Sequence, residues 1–109
     1  MPEPEPRRAV FRERDLPVAT TDTIPGRVIT EVLGEVIGVV TRARDMRASA
    51  DLSALLTITR QDAVDALVTM ATEAGADAVV GLRFDGGKVN DGTSEVAAYG
   101  TAVKLEPIP

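Results

Sequence analysis

The stretch "RVITEVLGEVIGVVTR", Arg27–Arg42, constrains the fold more than any other part of the chain. It is rich in β-branched residues and reads as a strand. Val28, Val32, Val36 and Val40 fall on one face, with Thr30, Gly34 and Gly38. Ile29, Leu33, Ile37 and Val39 are assigned to the other, with Glu31 and Glu35. Both faces are therefore largely apolar, and a strand of that kind needs cover on both sides. Fully extended, it would span about 50 Å. Gly34 and Gly38 are expected either to bend it or to admit a close backbone approach. If one face packs inside the domain, the other is expected to meet a second subunit.

One helix is available as cover. Leu52, Leu56, Ala63, Leu67, Met70 and Ala74 recur at helical spacing, and Thr59 with Asp62 gives a start signal. Two readings stay open: one helix over about 51–74, or a short piece that breaks near Thr57–Thr59. Val68 lies off the main stripe and is expected to touch another chain. Gly75 follows the last stripe position, where a helix C′ residue favours positive φ. "AVV" then begins a strand, and Gly81 marks a bulge or close packing within it. "DGGKVNDG", Asp85–Gly92, reads as loop. "SEVAAYGTAVKL", Ser94–Leu105, reads as the last strand. The expected class is α+β, in β-α-β-β order. A three-stranded antiparallel sheet carries one main helix on one face. Its opposite face keeps Val, Ile, Ala and Tyr99.

Residues 1–17 form a Pro-rich, charged N-terminal arm, and residues 18–109 a single domain. The arm is expected to be flexible. The alternative is an arm that docks Val10, Phe11 and Leu16 on a neighbouring subunit, or that presents itself to another protein. The chain has 109 residues and a net charge of −5, which disfavours nucleic acid. No apolar run approaches the roughly 20 residues of a membrane helix. The first residues lack the apolar core of a secretory signal, so a cytoplasmic location is expected.

The sequence contains no Cys and no His. That removes disulfides, thiolate and imidazole metal ligands, and the usual neutral-pH acid/base. Ser49, Ser53 and Ser94 have no His to activate them. No catalytic residue, cofactor or enzymatic activity is expected. For metals only carboxylates remain, and Asp85, Asp91 and Glu95 are the hard-cation candidates around the last hairpin. Turn chemistry explains the two aspartates better. Glu31 and Glu35, four apart on one strand, would share a face. Arg42, Arg44 and Arg47 cluster in an acidic chain and are candidates for contact with an anion or a partner.

"TTDTIPGRVITEVLGEVIGVV", "GADAVVGLRF" and "YGTAVKL" resemble the YbjQ-like family, small bacterial proteins labelled "putative heavy-metal-binding". The resemblance covers roughly residues 18–105. It implies a dodecin-subunit-like fold and a ring homo-oligomer, typically a pentamer. The family usually carries a Gly-Gly-rich stretch and a Tyr between the first strand and the helix. "RDMRASADLSALLTITR" has neither. Dodecins of similar fold bind flavin between aromatic residues, and this chain has no Trp to stack one. A structural or interaction module that assembles as a ring is the leading expectation. The alternative is a protein that binds a small ligand or metal ion at subunit interfaces.

Overall fold

A computed structural model describes residues 8–43 and 52–109. The order is β1 (Arg27–Ala43), α1 (Leu52–Glu73), β2 (Ala78–Asn90) and β3 (Thr93–Pro107). The strands form one antiparallel sheet in the order β1-β3-β2, with α1 on one face. The α+β reading holds. α1 is one continuous helix, so the break near Thr57–Thr59 is not taken. It ends as expected: Gly75 has φ of 78°, its N–H donates to Thr72 O, and Ala76 N–H donates to Ala71 O. That pair of bonds is the Schellman closure.

The core lies between α1 and the sheet. Ala63, Val64, Leu67 and Ala71 pack on Val36, Val79, Ala98 and Ala102. The two β1 glycines answer the two readings separately. Gly34 sits at a register shift with φ of 135°, where the strand bends. Gly38 lies against the helix backbone. A Cβ there would stand 2.1 Å from Ala63 O and 2.4 Å from Leu67 N.

Two shifts of register, at Ile29/Glu31 and Val32/Gly34, break the simple alternation of β1. Leu33 turns to the main core, while Ile29 packs on a second cluster. Leu33 therefore leaves the face of Ile37 and Val39, while Ile29 keeps it, because the two shifts cancel. Val68 is partly buried against the main core of its own subunit. Leu52, Leu56 and Met70, assigned to the buried stripe, are exposed.

The loop expected at Asp85–Gly92 is mostly strand. β2 runs on to Asn90, with Gly86 opposite Val96 and Gly87 opposite Glu95. Only the tip turns, where Gly92 N–H donates to Asn90 Oδ1. The ladder supplied by β3 outweighs local turn preference. The arm also ends earlier than position 17. Leu16 is buried in the main core, and Val79 N–H donates to Pro17 O. Residues 17–21 run along the β2 edge, with a parallel bridge from Val18 to Val79.

Gly100 is tight within its own chain. A Cβ there would stand 2.7 Å from Val79 Cγ1 and 3.0 Å from Val80 O. Gly100→Val is therefore expected to cost about 1–3 kcal/mol of folding stability. Thr93→Val, near the hairpin tip, should change little. Because the clash is with β2 of the same subunit, the loss should appear as unfolding and not as dissociation first. Thermal melts of both variants beside the parent decide it: an unchanged melt for Gly100→Val removes the packing argument.

Candidate functional site

The sheet face opposite α1 is only half covered. At one end Ile24, Ile29 and Leu105 close over Ala78, Val80 and Val103. Beyond that cluster the face is bare. Antiparallel partners share a face, so the register reads out its layout. Tyr99 stands between Ile37 and Arg83, and Ala97 between Val39 and Asp85. Val32, Ile37, Val39 and Tyr99 keep between 43% and 63% of their surface exposed. Four large apolar side chains on one half-bare sheet face form a patch of the kind used for association. Glu35, Arg83, Asp85 and Glu95 surround it with charge. Met70 reaches the free edge of β1 from α1, and its Sδ accepts Ile37 N–H at 3.5 Å.

A polar cluster fixes the arm across α1. Arg12 donates to Asp62 at 3.0 Å and to Asp65 at 2.7 Å, and Arg14 donates to Asp65 at 2.9 Å. Gln61 Nε2 donates to Val10 O at 2.7 Å. From the sheet side, Arg42 pairs with Asp62 and donates to Thr59 Oγ1 at 3.3 Å. Asp62 thus joins arm, helix and β1. Sequence reasoning missed this cluster, because alternating charge in a Pro-rich stretch is also the mark of a disordered tail. The signal was the period of two: Arg12, Arg14 and Leu16 turn inward, while Phe11, Glu13 and Asp15 turn out.

The two aspartates should differ in weight. Asp62 is 21% exposed and receives two guanidiniums, so Asp62→Ala is expected to cost about 1.5–3 kcal/mol. Asp65 is 52% exposed, and Asp65→Ala should cost under about 1 kcal/mol. Urea unfolding of the two variants measures the difference. Equal losses would mean that Asp62 is not the junction.

The residues singled out for metal do not converge. Asp85 and Glu95 lie on the bare sheet face, but Asp91 is at the hairpin tip, paired with Lys88 at 2.8 Å. Among the described residues no three of His, Cys, Asp and Glu stand close enough to share an ion. Glu31 opposes Lys104 and Glu35 opposes Thr101, an odd separation along β3. The bulge between them therefore sends the two glutamates to opposite faces. Arg42 is committed to Asp62 and Thr59, while Arg44, Arg47 and Ser49 lie outside the described residues. Ser53 opens α1 and Ser94 lies in β3, so they are on different elements. Among the described residues no helix is long and apolar enough to cross a membrane.

A family model described as "putative heavy-metal-binding" matches residues 16–106. A UPF0145 protein of Psychromonas ingrahamii is 45% identical, over 81% of this chain and 96% of its own. A UPF0145 protein of the archaeon Saccharolobus islandicus is 36% identical, over 87% and 95%, so the relatives are not bacterial alone. Among solved structures, a protein of unknown function of the DUF74 family from Pediococcus pentosaceus superposes with a TM-score of 0.67. It is 16% identical, covering 85% of this chain and all of the other, and shares the fold.

Proposed function

The chain belongs to the YbjQ family, and from that membership we propose that it is a self-assembling, non-catalytic module that forms a ring, a pentamer, through the bare face of its sheet. The observation that carries this reading is the exposed set Val32, Ile37, Val39 and Tyr99 beside a helix that covers only the other face. A small domain buries a modest fraction of its apolar surface by itself, and association supplies more. Size-exclusion chromatography with light scattering tests the reading. A stable monomer at micromolar concentration would sink it. Since the patch is apolar at its centre, high salt should leave the assembly intact.

The family's label points to heavy metals, and the donor set here does not fit them. Soft and borderline ions prefer thiolate and imidazole, and the sequence has neither Cys nor His. Zinc, copper and cadmium are expected to bind weakly or not at all. Calorimetry showing a submicromolar, stoichiometric site for any of them would reverse this expectation and favour the reading as a metal-binding protein.

A further inference from the structure

The arm and the N-terminal part of α1 carry complementary features. Phe11 is 87% exposed although its neighbours are held in place, Val10 by Gln61 and Arg12 by Asp62 and Asp65. Glu13 stands on the same outward side of the extended arm, and the pair offers an aromatic knob with an acid beside it. Elsewhere an exposed apolar set stands beside a base. Leu52 and Leu56 share the sheet-directed side of α1 with Ala63, by helical spacing, yet both are exposed. Phe84, opposite Ala98, faces the helix from β2, and the Arg60 guanidinium lies 5.5 Å from its ring centre. Gln61 and Asp65, which anchor the arm, are on the far side of α1 from Leu56 by the same spacing. A protomer whose arm is anchored this way does not lay its own Phe11 on these residues.

We propose that Phe11 of one protomer packs on the exposed apolar surface of Leu52, Leu56 and Phe84 on a second copy of this chain, with Glu13 meeting Arg60. This rests on the reading of the chain as a self-assembling ring and adds a second contact to it. Knob and apolar patch are different surfaces, so the contact is head-to-tail, the type that generates rings when it closes. The acid–base match is the reason for choosing a second copy over an unrelated partner. A buried aromatic anchor of this kind is a common centre of binding energy.

The absence of native Cys makes the test direct. Full-length Phe11→Cys and Leu56→Cys variants are mixed, treated with a short bis-maleimide, and followed by native mass spectrometry before and after. The expected result is a Phe11→Cys/Leu56→Cys cross-linked pair in the mixture and little cross-linking in either variant alone. Phe11→Ala in the otherwise unaltered chain should weaken assembly about tenfold. Arg60→Glu should weaken it too, and Glu13→Arg combined with Arg60→Glu should restore it. Assembly that persists with no mixed cross-link overturns this contact and leaves the ring reading standing. Cross-linking of Phe11→Cys to itself overturns it in favour of arm-to-arm pairing. A cross-link within single chains that carry both Phe11→Cys and Leu56→Cys assigns the patch to the chain's own arm and also overturns it. Monomers of the unaltered chain remove both readings together.

Discussion

Gly38→Ala should cost about 3 kcal/mol or more of folding stability, from a single added methyl group. The added Cβ would stand 2.1 Å from Ala63 O and 2.4 Å from Leu67 N, and both are helix backbone. Backbone cannot rotate away as a side chain can, so α1 as a whole must lift or β1 must bend. Overpacking of an ordinary core costs about 1–3 kcal/mol, and here the contact is rigid on both sides. Typical domains hold only about 5–15 kcal/mol in reserve. The lifted helix would also loosen Ala63 and Leu67, both fully buried. Gly87→Ala is the matched control, since nothing lies within 4 Å of a Cβ there. Urea unfolding followed by circular dichroism reads both. A Gly38→Ala protein as stable as the Gly87→Ala protein would mean that the helix is not seated on β1 at this point.

Ile37→Lys combined with Val39→Lys should dissociate the proposed ring and leave each subunit folded. Both side chains lie on the bare face, 44% and 51% exposed, so the isolated fold loses little packing. In the assembly the same residues would be covered. Burying a Val or Ile side chain fully contributes about 1.5–3 kcal/mol, and two buried unpaired ammonium groups add a further cost. Even half of the burial contribution for each residue, about 1.5–3 kcal/mol for the two, weakens a contact about tenfold to a hundredfold. The substitution is repeated at every contact of a ring. Circular dichroism should show the parent's helix and strand content, while sedimentation should show a smaller species. Loss of fold would place these residues in the subunit core. An unchanged assembly would free the face from any role in association.

The sequence was most legible where local chemistry decides. Gly75 closes the helix because only a residue at ease with positive φ fits the C′ position. The strand–helix–strand–strand order followed from periodicity and from β-branched runs. It was least legible where a long-range partner decides. Asp85–Asn90 has turn composition but becomes strand because β3 lies alongside it. The bulge around Leu33 reverses the faces of Glu31 and Val32, a second shift before Glu31 restores them, and no residue type announces either position. Of the candidate site, the apolar face with Tyr99 was legible from the ratio of one helix to three strands. The arm's anchorage was not, because the partners of Arg12 and Arg14 are about fifty positions away. The carboxylates near the hairpin looked close only while the hairpin was taken for a loop.

The central claim is that the bare sheet face exists to be covered by copies of the same chain. Native mass spectrometry of the purified protein at micromolar concentration tests it most directly, since it reports stoichiometry and bound mass together. The account predicts one dominant complex of five chains, with no additional mass, that persists when the ionic strength is raised. A dominant monomer would contradict it.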